Sequence, residues 1–216
     1  MHITKISNNL IIIKSSLMDN NSYLLIKNKK IIVVDPSFSS KEIIKLITDN
    51  NWSLQTIILT HGHFDHTFSC YELTNLYKCP VFLHKLDFVI YSEYDCGNLM
   101  NNPIKKFDQY IKFFNNKKIK LFDDLIFDVV LSPGHTPGSV VYKFENYVFT
   151  GDTLFYDGIG RTDFPYGNEL DMKKSLNNLY KILKDEDIIL PGHGQWGDFK
   201  NLKKNNIFVS SFLNDK

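Results

Sequence analysis

The stretch Thr56-Ile57-Ile58-Leu59-Thr60-His61-Gly62-His63-Phe64-Asp65-His66 decides how this chain is read. Thr56–Leu59 is an apolar, β-branched run of the length of a short buried strand. It ends directly on a group of His and Asp side chains: three of the seven histidines fall within six residues, with Asp65 among them. Working outward, two further histidines stand in loops of the same character. His135 lies in Ser132-Pro133-Gly134-His135-Thr136-Pro137-Gly138, and His193 in Leu190-Pro191-Gly192-His193-Gly194. Asp152, in Thr150-Gly151-Asp152-Thr153, also ends an expected strand. Side chains at strand ends converge at one edge of a sheet, so segments distant in sequence can meet there.

Imidazole nitrogens and carboxylate oxygens are the usual ligands of zinc and similar divalent ions. One catalytic ion takes about three protein ligands and keeps an open position. Five histidines and two aspartates are too many for one ion and suit two. In an extended loop alternate side chains point the same way, so His61 and His63 can reach one ion. Asp65 and His66, further along the turn, can reach another. The glycines support a site: of the 11, only Gly97 lies away from a loop bearing His or Asp. Glycine permits close backbone approach and unusual turns. His2 and His84 fall outside the pattern and receive no role.

The rest of the chain alternates β and α signals. Leu10–Ile13, Tyr23–Ile26 and Ile31–Val34 are expected strands, with a hairpin turn at Asn28-Lys29-Lys30. Lys41–Thr48 has helical spacing at Ile43, Ile44 and Ile47, and a helix is expected over Phe68–Tyr77. Val81–Leu83 is a strand. Residues 86–116, aromatic and Asn-rich and interrupted by Pro103, predict a partly helical insertion. Strands follow at Ile119–Phe122, Leu125–Leu131, Val140–Phe144 and Tyr147–Thr150. A helix over Leu170–Leu183, a strand at Ile188–Leu190 and a helix over Phe199–Phe212 complete the chain. Two halves that each run strands, helix, strand, without a linker between them, predict one α/β domain of two mixed sheets packed face to face with helices outside.

Composition excludes several classes. The formal net charge is +1, and Lys residues are scattered singly or in pairs. Nucleic-acid or membrane-surface binding would call for a basic patch. No apolar run approaches the roughly 20 residues of a membrane span, and no cationic-then-apolar leader pattern opens the chain. The three cysteines, Cys70, Cys79 and Cys96, are odd in number and lack CxxC spacing. A reducing, cytoplasmic setting is expected, with the cysteines as small core residues.

These segments, in order, resemble the metallo-β-lactamase fold superfamily: Asp35 after a strand, His61-x-His63-x-Asp65-His66, His135, Asp152 and His193. The resemblance covers nearly the whole chain and implies an αββα sandwich spanning residues 1–216 as one domain. It implies that His61, His63 and His135 hold one divalent ion and Asp65, His66 and His193 a second, with Asp152 bridging. Zinc is the expected metal, with iron or manganese as alternatives. Asp35 is implied to brace the first motif by hydrogen bonding. True β-lactamases of this fold lack an acidic residue at the place of Asp152, so antibiotic cleavage is disfavoured.

The run from Gly151 to Phe155 and from Gly158 to Phe164 is similar to the glyoxalase II group of thioester hydrolases, especially its short bacterial members, and to the persulfide dioxygenases. The resemblance implies a small hydroxyacyl-thiol substrate such as S-lactoylglutathione. Arg161, the only arginine, and Phe164 are the implied substrate contacts; Arg161 can equally hold its own loop by pairing with Asp163. The implied chemistry uses a water shared by two ions, which lower its pKa to about 7. The resulting hydroxide attacks the thioester, with Asp65 and Asp152 orienting or accepting the proton. The C-terminal helical domain that supplies glutathione contacts in full-length glyoxalase II is expected to be missing here. The rival readings are a mononuclear iron persulfide dioxygenase using His61, His135 and Asp152, nucleic-acid processing on the same fold, and a non-catalytic scaffold.

Overall fold

The apolar runs of the N-terminal half become neighbouring strands in chain order. The computed structural model describes residues 1–93 and 105–208, which form two units, Met1–Phe114 and Asn115–Lys216.

In the first unit seven strands form one sheet: β1 His2–Ser7, β2 Leu10–Lys14, β3 Asn21–Lys27, β4 Lys30–Val34, β5 Ser53–Ile58, β6 Val81–His84 and β7 Ile111–Phe114. β1 to β4 form an antiparallel meander, and β4 to β7 run parallel. The β3–β4 turn is the expected hairpin: Asn28 and Lys29 both take positive φ, 52° and 61°, between the paired Lys27 and Lys30, which matches the twist of the flanking strands. Parallel neighbours need crossovers. Helix α1 (Ser40–Asn50) makes the first, burying Ile43 and Ile47 and stopping at the left-handed Asn51. Helices α2 (Phe64–Thr67) and α3 (Cys70–Tyr77) make the second. Ile43, Ile47, Cys70 and Leu73 pack in one cluster with Leu24, Val33, Ile57 and Val81 of the strands. Helix α4 (Phe88–Glu93) follows β6.

The second unit holds six strands: β8 Lys118–Lys120, β9 Ile126–Leu131, β10 Val140–Phe144, β11 Tyr147–Gly151, β12 Ile188–Pro191 and β13 Gly197–Asp198, in the order β13-β12-β11-β10-β9-β8. The one parallel pair, β11 with β12, is joined across helix α5 (Glu169–Ile182). Its Met172, Leu176 and Leu179, at i, i+4 and i+7, pack with Val141, Val148 and Ile189. Helix α6 (Phe199–Asn205) adds Phe199 and Leu202 to this core. Each unit thus has a mixed sheet with helices of its own against it, the α/β composition that the sequence predicts.

Several elements differ from the sequence reading. β1 is not expected from its pattern. The helix expected over Phe68–Tyr77 begins at Cys70, and the separate α2 precedes it, so Asp65 and His66 sit on a helical turn and not in a loop. Residues 122–124 form a 3-10 turn in place of the end of a strand. The insertion expected over 86–116 contains helix α4 and the edge strand β7. Residues 94–104, with Cys96, and the end of the helix expected over Phe199–Phe212 lie outside the described residues.

Candidate metal centre

The first unit gathers its candidate ligands just beyond the ends of two adjacent strands. Asp35 follows β4, with a positive φ of 46°, and its backbone N–H donates to Ile58 O of β5 at 3.1 Å. Its buried carboxylate accepts three hydrogen bonds. Oδ1 takes the Thr60 N–H at 2.8 Å. Oδ2 takes the Thr60 hydroxyl at 2.6 Å and His66 Nδ1 at 3.1 Å. Thr60 Oγ1 also stands 3.1 Å from His61 Nδ1. The hydroxyl has one proton. With that proton given to Asp35, Thr60 accepts from His61 Nδ1–H. Both His61 and His66 are therefore held as the tautomer that leaves Nε2 with a lone pair.

His61, His63, Asp65 and His66 are all buried. The His61 ring lies 4.9 Å from His63 and 4.1 Å from His66 by centroids. The donor atoms of His61 and His63, of His61 and His66, and of Asp65 and His66 lie within 4.8 Å of one another. His66 Nε2 is 3.6 Å from Asp65 Oδ2.

In the second unit the three candidates again stand just beyond strands. Asp152 follows β11, His193 follows β12, and His135 lies between β9 and β10. Asp152 Oδ2 is 3.5 Å from His135 Nε2 and 3.3 Å from His193 Nε2. His135 Nδ1 donates to the Arg161 carbonyl at 2.8 Å; a carbonyl can only accept, so His135 Nε2 is the lone-pair nitrogen. Gly160 makes this arrangement possible. A Cβ there would stand 1.7 Å from Asp152 O, so the chain turns back directly onto the Asp152 backbone.

Arg161 is exposed and grips Asp163 with both prongs, Nε to Oδ1 at 2.9 Å and Nη2 to Oδ2 at 2.7 Å. Its guanidinium lies 4.2 Å from the Phe164 ring centroid, and Phe164 meets His135 edge-on at 6.2 Å. The hydrogen bond from Arg161 holds the Asp163 carboxyl down at about 2, from an ordinary 3.8.

The sequence profile described as the Metallo-beta-lactamase superfamily matches residues 17–193. The chain belongs to the metallo-beta-lactamase superfamily. It is 29% identical over 204 residues to the hydroxyacylglutathione hydrolase GloC of Haemophilus influenzae, covering 91% of this chain and 95% of that protein. Among solved structures it resembles the BLEG-1 B3 metallo-beta-lactamase, with a TM-score of 0.81 and 26% identity over 93% of this chain and 99% of that one. It equally resembles TTHA1623 in a di-iron-bound form, with a TM-score of 0.81 and 28% identity over 91% of this chain and 98% of the other. Metal-dependent hydrolysis is the chemistry that this membership carries.

The donor set of this metallo-beta-lactamase superfamily member fits metal. Imidazole Nε2 atoms and carboxylate oxygens face each other at 3.3 to 3.6 Å. That is long for a charge-assisted hydrogen bond. Two ligands each about 2.0–2.1 Å from one tetrahedral ion stand about 3.3 Å apart. A cation in such a gap turns a repulsion between lone pairs into coordination.

Three contributors were not found in the sequence. Thr60 links Asp35 to His61; its place beside His61 was the one available signal. Asn20 Nδ2 donates to Asp65 Oδ2 at 3.0 Å across 45 positions, but Asp19-Asn20-Asn21 carries the signature of a turn. Asp87, fully buried, accepts the Gly62 N–H at 2.6 Å, and nothing in its surroundings in sequence marks it.

Proposed function

We propose that this protein is a glyoxalase II-like thioesterase that cleaves a small hydroxyacyl thioester, S-lactoylglutathione being the model substrate. In this reading His61, His63, Asp65, His66, His135, Asp152 and His193 are the ligands of two divalent ions. Asp152 carries the reading: one buried carboxylate oxygen faces both His135 and His193, the placement of a group shared between ions. The kinship with GloC supports the substrate class.

A bound pair of divalent ions would supply Lewis acidity and an acidic water. The chain's own residues do the rest. The Nδ1 bonds of His61, His66 and His135 aim their rings and leave Nε2 to ligate. Asp65, oriented by the Asn20 amide, and Asp152 are placed to accept or steer a proton. Arg161 and Phe164 are the proposed substrate contacts, and a substrate carboxylate would exchange with Asp163 for the guanidinium. The low net charge fits a small-molecule substrate in a reducing, cytoplasmic setting, without nucleic-acid or membrane partners.

The likeness to a B3 metallo-beta-lactamase makes β-lactam cleavage the second reading. One set of measurements separates them: metal content, hydrolysis of S-D-lactoylglutathione, turnover of a chromogenic cephalosporin, and oxygen uptake with glutathione persulfide. Thioester hydrolysis with about two metal ions per chain is expected, from the ligand count of such sites. Cephalosporin turnover without thioester cleavage overturns the proposal. So does oxygen uptake with a single iron and no thioester cleavage.

A further inference from the structure

Asn206 is a buried polar residue whose side chain works far from its own helix. Its backbone N–H donates to Leu202 O at 2.9 Å and ends α6, and its backbone has already left the helical region, with φ −84° and ψ 100°. That ending makes no use of the carboxamide. The carboxamide reaches back across 51 and 48 positions instead: Nδ2 donates to Phe155 O at 3.0 Å and to Gly158 O at 2.8 Å. An amide nitrogen carries two hydrogens, so one side chain ties down both ends of the turn 155–158. The Phe155 N–H closes the same turn onto Gly158 O at 2.9 Å, and Leu154 bridges to Ile159 beside it.

Two candidate ligands lean on this segment. The Phe155 ring meets His193 edge-on, at 6.0 Å between centroids and 82° between planes. Just past the bridge, the Arg161 carbonyl accepts the His135 Nδ1–H at 2.8 Å. The neighbouring residues fasten the turn further. Asn205 Nδ2 stands 3.4 Å from the Tyr156 hydroxyl, and a Cβ on residue 197 would come within 2.6 Å of the Tyr156 ring. A buried carbonyl deprived of its donor loses a hydrogen bond that folding has already taken from water. A side chain without the amide protons would therefore let the turn shift toward solvent, and the contacts to His135 and His193 would move with it.

We infer that Asn206 is a positioning residue for the metal centre: its carboxamide holds segment 154–161 so that the Arg161 carbonyl aims His135 and the Phe155 ring braces His193. This rests on the ligand roles proposed above for those two histidines. The discriminating variant is Asn206→Asp, which keeps the size of the side chain and puts an acceptor where the donor stood. Asn206→Ala removes the donor without setting a charge against two carbonyls, and keeps the test open if the aspartate variant does not fold. Leu176→Val is the control; it removes a buried methylene from the same core and leaves the segment's hydrogen bonds in place. Two quantities are measured on purified chains: zinc affinity by competition with a chromophoric chelator, and the melting temperature of the metal-free protein.

Both Asn206 variants are expected to bind zinc about tenfold more weakly, the lower end of the effect of removing support behind metal ligands. Leu176→Val is expected to melt lower with parent-like zinc affinity. Parent-like zinc affinity in a folded Asn206 variant overturns the inference. An equal loss of affinity in Leu176→Val also overturns it, because affinity would then follow stability alone. Failure of both Asn206 variants to fold overturns it as well, since the amide would then serve the fold. A parent chain that takes up no zinc at all sinks the metal-ligand reading itself, whereas a parent that binds zinc no better than the Asn206 variants sinks only the role of Asn206.

Discussion

Thr60 has one proton and two neighbours that want it. Asp35 Oδ2, at 2.6 Å, can only accept; His61 Nδ1, at 3.1 Å, can donate. The aspartate therefore sets the hydroxyl, and the hydroxyl sets the tautomer of His61. Thr60→Val keeps the shape and removes this relay. It is expected to lower metal affinity and kcat about tenfold or more while the chain still folds; zinc titration with steady-state kinetics would show it, and parent-like values would mean that His61 is oriented by other contacts. The Arg161–Asp163 pair gives a second residue-scale expectation. Its hydrogen bond depresses the Asp163 carboxyl from 3.8 to about 2. A depressed carboxyl contributes above its ordinary value and loses that contribution as pH falls through the lowered one, here between 3.8 and about 2. Both partners are exposed, so stability is little affected. An NMR titration should place the Asp163 midpoint near 2 and return it close to 3.8 in Arg161→Ala; a midpoint that stays low without the arginine would assign the shift to another cause.

At the scale of elements, the sequence shows what local pattern determines. Leu10–Ile13, Tyr23–Ile26 and Ile31–Val34 are buried apolar runs, and each is a strand. β1 was missed because His2–Ser7 is largely exposed and has no apolar face; backbone pairing with β2 defines it. β7 is a four-residue edge strand whose apolar residues do not alternate cleanly, with Lys112 and Phe113 exposed and Phe114 buried, so local pattern does not define it. The site shows the same division. His61 to His66, His135, Asp152 and His193 stand out as candidates in the sequence because chemistry-bearing residues cluster after strands. Asn20 and Asp87 do not, since their roles depend on which residue they face 45 and 25 positions away. Gly160 carries the expectation at this scale. Because a Cβ there would meet Asp152 O at 1.7 Å and the His135 Cβ at 3.4 Å, Gly160→Ala must push the returning chain off β11's end. We expect a stability loss of about 1–3 kcal/mol, as in other overpacked sites, with metal affinity lost out of proportion to it. Urea unfolding of the metal-free chain and zinc titration would separate the two. Parent-like values of both would mean that the turn relaxes without disturbing Asp152.

At the scale of the molecule, each unit carries candidate ligands of its own, and among the described residues no helix is long and apolar enough to cross a membrane. Binding energy from ions held this way adds to the stability of the native chain, because an unfolded chain offers no preformed site. The gain follows RT ln(1 + [metal]/Kd), about 4 kcal/mol when free metal is 1,000 times Kd. For a chain of this size each kcal/mol moves the melting temperature by about 2–4 °C. Chelator-treated protein is therefore expected to melt roughly 8 to 16 °C below the zinc-loaded form. The shift should rise with the logarithm of free zinc and reverse on adding zinc back. Differential scanning calorimetry across a zinc series would test this. Histidines that merely filled a core would leave the melting temperature indifferent to zinc, whereas a logarithmic rise that disappears in His61→Ala would tie the stabilisation to the very segment in which the ligand pattern begins.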